Sequence, residues 1–272
     1  MGLPFHKYEG LGNDFVIVEA EHESALPAAV ARQLCDRRLG VGGDGVLLLL
    51  PPSSEGAEAR MRVLNADGSV PEMCGNGLRC VVLHVARRAG KTAGEVVIDT
   101  DAGVRRSAID DRDTPALVTV DMGVVRSLGP TTIDLDGDAW DLVLGDAGNP
   151  HAITTRPVDR ATIDRVGPRL ATHPTFPAGT NVEFASFHSG RVDLVVWERG
   201  VGITQACGTG ACATVAVGVA LGKVRVGEDV AVHLPGGVLG VTIQPNGHAI
   251  MRGPARHVFS GVAEGFALAR HG

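Results

Sequence analysis

The sequence predicts an α+β fold of two similar lobes, rich in strands and poor in helices. Three observations lead there. The stretch EMCGNGLRC (72–80) is echoed by QACGTGACA (205–213), so Cys74 and Cys207 stand 133 residues apart in a chain of 272. A motif repeated at about half the chain length marks a duplicated unit. Each copy lies between a strand-like run and the most apolar helix-like run of its half. The length also exceeds one ordinary domain and fits two of roughly 100–150 residues.

The elements follow in order. DFVIVEA reads as a strand. SALPAAVARQLCDRRLG reads as a helix, with Ser24 as N-cap, Pro27 in the first turn and Gly40 as the stop. GVLLLLPP is a buried strand halted by Pro51 and Pro52. ARMRVLNADGS is a strand running into an Asn-Ala-Asp-Gly turn. CGNGLRCVVLHVARRAG enters a helix with Leu78, Val81, Val82 and Val85 on one face and Gly90 as its stop. GEVVIDT, GVRRSAID and PALVTVDMG are strands, and the polar DDRDTP (110–115) is a turn just before a lobe boundary. In the second half VDLVVWERG is a strand and CGTGACATVAVGVALGK a turn into a helix ending near Gly222. Strands follow at VAVHLPGG, VLGVTIQPNG and HAIMRGP. Helices this apolar are buried, each through the centre of its lobe.

Composition narrows the function. Hydrophobic residues are 44% and charged residues 21% of the chain, ordinary for a packed globular protein. A net charge of −6 argues against nucleic-acid or anionic-membrane partners. The first residues lack the basic and apolar regions of a signal peptide, and no apolar run reaches the ~18–20 residues of a membrane span. Five cysteines are an odd number and no disulfide framework. The expectation is a cytoplasmic protein with reduced thiols.

The repeated turn carries the chemistry. Its glycines let the backbone turn sharply and approach a ligand. The first N–H groups of the helix lack intrahelical partners and hold the positive end of the dipole, so they bind a carboxylate. A cysteine there is expected to have its thiolate favoured and its pKa lowered. Two such turns facing each other would set Cys74 and Cys207 on opposite sides of one stereocentre. One would remove the α-hydrogen and the other would protonate the opposite face. Cys35, Cys80 and Cys212 lie within helices and read as core packing. No Cys-x-x-Cys pair is present, so zinc is a poor fit. GVGGDG (40–45) follows a helix and precedes a strand, the reverse of a dinucleotide-binding context. No metal or other cofactor is expected.

The chain resembles the diaminopimelate epimerase family along nearly its whole length. KYEGLGNDFVIVE, NADGSVPEMCGNGLRC, GNPHAI, GTNVEFA and WERGVGITQACGTGACA carry the resemblance, in that order. It implies two pseudo-symmetric lobes, each a β-barrel-like sheet around a central helix, with the active site in the cleft between them. The lobes would be 1–117, joined by 254–272 returning to it, and 118–253. It implies a cofactor-independent enzyme of lysine and cell-wall biosynthesis whose partner is the small molecule diaminopimelate, with a homodimer as the assembly to test. Cys74 and Cys207 match the catalytic thiols. Gly75, Asn76, Gly208 and Thr209 match the helix-end groups that hold the reacting carboxylate, and Asn13, Asn65, Asn149 and Asn181 the asparagines lining the site. Glu198 and Arg199 match an acidic–basic pair suited to an ammonium and a distal carboxylate. His151 matches a histidine of positioning or proton balance. Taken alone, these asparagines read as turn residues and His151 as structural. Gly45 stands where some members have a glutamine, and Ile203 where a glutamate is frequent. Two other readings stay open: a related two-cysteine racemase on the same fold, and a thiol redox protein.

Overall fold

The computed structural model describes residues 2–71 and 74–269. They form two compact units, Met1–Val120 with Gly253–Gly272, and Asp121–Arg252. The divisions fall after Val120 and after Arg252, inside strands.

The first unit runs β1 (Leu3–Gly10), β2 (Asn13–Glu19), α1 (Ala28–Cys35), β3 (Gly45–Leu50), β4 (Ala59–Asn65), α2 (Gly75–Arg88), β5 (Ala93–Thr100), β6 (Gly103–Asp110) and β7 (Ala116–Val124). The second runs β8 (Arg126–Leu135), β9 (Asp138–Asp146), β10 (Pro150–Thr154), α3 (Arg160–Ala171), β11 (Asn181–His188), β12 (Arg191–Glu198), β13 (Gly202–Ile203), α4 (Gly208–Ala220), β14 (Asp229–Leu234) and β15 (Gly237–Ile243). A long last strand, β16 (His248–Ala263), begins in the second unit and ends in the first.

Both units are built to one plan. β2 and β3 are parallel across α1, and β4 and β5 are parallel across α2. Likewise β10 and β11 are parallel across α3, and β12 and β14 across α4. Parallel neighbours need a crossover of a dozen or so residues, and a helix supplies it each time. In the first unit the order β1-β2-β3-β4-β5-β6-β7-β16 closes on itself, because β16 also pairs with β1 in a register from Leu3↔Ala263 to Glu9↔Arg256. The result is an eight-stranded barrel.

α2 packs against β1 through β6, and α4 against β8 through β12 and β15. Residues Gly75–Ala86 of α2 and Gly208–Gly218 of α4 are buried without interruption, as a helix enclosed by its own sheet must be. β3 is buried at all six positions because both its faces are covered. Val46, Leu48 and Leu50 share a core with Ala31 and Leu34 of α1, while Leu47 faces α2. β11 repeats this. Val182 and Phe184 pack with Ile163, Val166 and Leu170 of α3, and Glu183 faces α4.

Local chemistry departs from the sequence expectations in two places. The first helix starts at Ala28 after Pro27, which takes the N-cap position without a side-chain cap, and Ser24 lies in a single 3₁₀ turn, Glu23–Ala25. Proline forces Leu26 before it into extended backbone, which breaks the run. The helix stops at Cys35 because the Asp36 carboxylate captures the N–H groups of Arg38 and Leu39, both at 2.8 Å. The second departure is α3, a helix absent from the sequence reading. Asp159 caps it, accepting from the Thr162 N–H at 2.8 Å, and Gly167 and Pro168 lie within it. A Cβ on Gly167 would meet the Trp197 indole at 2.7 Å, so the residue that looks like a break is what lets α3 pack on β12.

Candidate active site

Each Cys-Gly-x-Gly turn is the N-terminus of a central helix, and each cysteine is its N-cap. Cys74 has extended backbone (φ −137°, ψ 92°) and its Sγ accepts from the Gly77 N–H at 3.3 Å. Cys207 has nearly the same backbone (φ −125°, ψ 107°) and accepts from the Gly210 N–H at 3.4 Å. A thiol replaces the usual hydroxyl or carboxylate cap. The first N–H groups of a helix lack intrahelical partners, and such an end suits an anion.

In the first unit Asn76, two residues past Cys74, anchors a chain of polar side chains. Asn76, buried, donates from Nδ2 to Asn13 Oδ1 at 3.1 Å, and Asn13 donates from its own Nδ2 to Asp44 Oδ2 at 2.6 Å. Asn65 ends β4 and donates to Ser69 Oγ at 3.0 Å across the turn whose Gly68 has φ +82°. Gly45 lies opposite Asn65 in the sheet, and a Cβ there would sit 2.8 Å from the Leu64 carbonyl oxygen. The backbone at this point admits no side chain without moving. His6, Glu19 and His84 elsewhere in this unit bring ligand atoms within 4.8 Å of one another. Glu19 is held there by Arg88 at 2.7 Å, a cation that competes with any metal.

The second unit surrounds Cys207 with titratable groups. Cys207 is 7% exposed, and Thr209 Oγ1 lies 3.6 Å from its Sγ. Glu198 closes β12, and its Oε1 accepts from Thr204 Oγ1 at 2.5 Å. His151 is fully enclosed, with Nε2 2.8 Å from Asn149 Oδ1 and Nδ1 2.7 Å from Glu183 Oε1. Asn181 orders the end of the same strand pair. Its Oδ1 accepts from the Arg199 backbone N–H at 2.9 Å, and its Nδ2 donates to the Pro150 carbonyl at 3.3 Å. Arg199 Nη1 donates to the Ala178 carbonyl at 2.9 Å. Its side chain also borders a cavity of about 550 Å³ with Phe176 and Trp197, whose lining includes neither Cys207 nor His151.

Burial decides the charge state here. It pushes the Cys207 thiol well above its usual range, and the neighbouring Glu198 and Glu183 charges push the same way, against the Thr209 and Gly210 hydrogen bonds. This corrects the expectation of a lowered pKa. A helix end contributes about 0.3–2 kcal/mol, whereas full burial shifts a pKa by as much as 3–5 units, roughly 4–7 kcal/mol. Burial likewise raises Glu198, opposed by its bonds to Thr204 and Cys207. It also raises Glu183, opposed by His151.

Cys207, Thr209 and Glu198 thus form one cluster, joined to Asn149 and His151 through Glu183; Cys74, Asn76 and Asn13 form another. Glu183 is the residue that sequence reasoning missed. The available signal was a carboxylate in NVEFA on the same strand face as Asn181, two residues on.

A family model described as diaminopimelate epimerase matches residues 5–128 and 143–258. The diaminopimelate epimerase of Desulforudis audaxviator is 45% identical over 280 residues, covering 95% of this chain and 98% of that protein. That of Gloeothece citriformis is 40% identical over 286 residues, covering 97% and 100%. Among solved structures, a hydroxyproline epimerase from Agrobacterium vitis superposes with a TM-score of 0.74 at 18% identity, covering 96% of this chain and 92% of that one. A predicted epimerase from Pseudomonas aeruginosa gives 0.73 at 15%, covering 96% and 98%. At such identities the likeness is one of fold.

Proposed function

The chain belongs to the diaminopimelate epimerase family and is an isomerase, and from that premise we propose a cofactor-independent, two-base interconversion of LL- and meso-2,6-diaminopimelate. Cys74 and Cys207 act on opposite faces of one α-carbon. The thiolate of one takes the α-hydrogen as a proton and becomes a thiol. The thiol of the other gives its proton to the opposite face and becomes a thiolate. The protons balance within the site. Negative charge that builds on the α-carboxylate is met by the helix N-termini at Gly75–Asn76 and Gly208–Thr209.

The remaining roles complete this proposal. Asn13, Asn65, Asn149 and Asn181 line the substrate. Glu198 accepts from an ammonium, and Arg199 takes the distal carboxylate, for which it must exchange its present Ala178 partner. His151 balances the proton at Cys207. The enzyme works in the cytoplasm in lysine and peptidoglycan-precursor synthesis, with neither nucleic acid nor membrane as partner. Among the described residues no helix is long and apolar enough to cross a membrane. A homodimer would cover the exposed Val258, Phe259 and Val262 of β16.

One observation carries the reading: two thiols cap two buried helices at the same point of a duplicated plan, each bonded to the third helical N–H. The test is incubation of chelator-treated protein with LL-diaminopimelate in deuterated water. The expected product is meso-diaminopimelate with one α-deuterium. Activity that returned only with added metal or pyridoxal phosphate would overturn the mechanism, and turnover of another amino acid alone would overturn the substrate.

A further inference from the structure

Glu183 occupies a place where the fold accepts a leucine. It is the third residue of β11, as Leu47 is the third of β3. A Cβ on Gly77 would lie 2.8 Å from Leu47 Cδ2 and 3.1 Å from Cys74 Sγ. A Cβ on Gly210 would lie 2.8 Å from Glu183 Oε1 and 3.2 Å from Cys207 Sγ. The carboxylate therefore lies beneath the helix start, against the same small volume as the thiol. Its side chain has no exposed surface, and beyond His151 only the Ala152 backbone N–H favours its charge. A fully buried carboxylate costs stability that leucine would not. Packing alone gives no reason to keep it.

The hydrogen-bond geometry supplies one. With Asn149 Oδ1 facing Nε2, the His151 ring donates from Nε2, and one proton is left for the 2.7 Å contact between Nδ1 and Glu183 Oε1. The pair is neutral whichever side holds that proton. On His151 it leaves a carboxylate beside Cys207; on Glu183 it leaves none. A thiolate at Cys207 repels the first arrangement and tolerates the second.

We infer that Glu183 is a positioning residue for the reaction: it fixes the His151 ring, and the proton it shares with that ring sits on Glu183 when Cys207 is a thiolate and on His151 when Cys207 is a thiol. The proton moves only between Oε1 and Nδ1, so no outside donor or acceptor is required. The titratable groups around Cys207 are Glu198 at the end of β12, Glu183 on β11 and, behind it, His151 on β10. This role rests on Cys207 being one of the two bases proposed above.

The test combines kinetics with a direct reading of each thiol. Glu183→Gln keeps the shape and removes the proton store. Glu183→Leu installs the residue of the other unit, and Glu183→Asp keeps the charge on a shorter arm. In Glu183→Gln and Glu183→Leu, kcat should fall by about 10- to 100-fold with KM little changed, and Glu183→Asp should recover part of the loss. In proteins carrying ¹³Cβ-cysteine, Cys207 should titrate at lower pH in Glu183→Gln than in the parent, with Cys74 unmoved. In the parent protein, the ¹⁵N signals of His151 should change with the midpoint of Cys207. Parental kcat and an unmoved Cys207 titration in either variant would overturn the inference, as would equal movement of both cysteines. If neither variant folds, a His151 signal indifferent to the ionisation of Cys207 overturns it. The titrations need no turnover, so they report on Glu183 even if the substrate assignment fails.

Discussion

The two Cys-Gly-x-Gly turns share a backbone and differ in what lies beneath it. Both thiols cap a helix through the third N–H, at 3.3 and 3.4 Å. Under one is Leu47, under the other Glu183. Cys74 is half-buried, and Cys207 is 7% exposed and faces carboxylates. Duplication has preserved the geometry of the turn, which needs only two glycines and a capping atom. Its electrostatics are set by burial and by the carboxylates around it, and are free to diverge.

The largest expected effect treats the thiols as equals. Cys74→Ala and Cys207→Ala should each lower kcat by at least about 10³-fold, because inversion needs an acid and a base, each worth about 10²–10⁴. The double variant should lose little more. Steady-state rates on LL-diaminopimelate check this, and a single variant that kept half its activity would break the symmetry.

Next comes the second glycine of each turn. In Gly210→Ala the new methyl displaces a carboxylate held at 2.7 Å by His151, whereas in Gly77→Ala it pushes the mobile end of Leu47. Alanine is favoured over glycine inside a helix by about 1 kcal/mol, which offsets part of either clash. Gly210→Ala should therefore lose about 10-fold or more in kcat, and Gly77→Ala less. Equal losses would mean that the residue beneath the turn is irrelevant.

The pH dependence gives a subtler contrast. Burial raises the Cys207 pKa above the ordinary 9.0 of a thiol. Above that value the unfolded chain releases a proton that the folded protein retains. Stability is full below pH 9 and is lost as pH rises toward the folded value. Urea midpoints between pH 8 and 10 should decline less steeply in Cys207→Ala than in the parent. An identical slope would mean that burial does not hold the proton on Cys207.

The smallest effects belong to the two cysteines inside the central helices. Cys80 and Cys212 are fully buried in α2 and α4. Their alanine variants should lose about 1–2 kcal/mol of stability, read from urea unfolding, with kcat unchanged. Loss of turnover in folded Cys80→Ala would move the base to the wrong turn.

Legibility followed the range of the interaction. The central helices were readable because a helical run with apolar residues behind a glycine turn is a local signal, and the all-buried β3 was readable from GVLLLL. α3 was not, since Gly167-Pro168 signals a break and only Trp197, thirty residues on, explains the glycine. The thiols were visible through their repetition, but the direction of the Cys207 pKa was not. Helix-end polarity is written in the local sequence, while burial by β10, β11 and β12 is tertiary and larger. Glu183 escaped for the same reason: one acidic residue within a strand looks solvated until its partner, His151, is in place.

The path of β16 governs how the chain can be made. Its far end pairs with β1, so Leu3 waits for Ala263. At ribosomal speeds of about 5–20 residues per second, that wait is on the order of 10–50 s. Throughout it β1 shows an open edge, the kind that recruits other strands. A nascent chain stalled before residue 253 would leave the first barrel one strand short however well its helix had formed, and ribosome-bound fragments ending there should be far more sensitive to protease than those carrying all of β16.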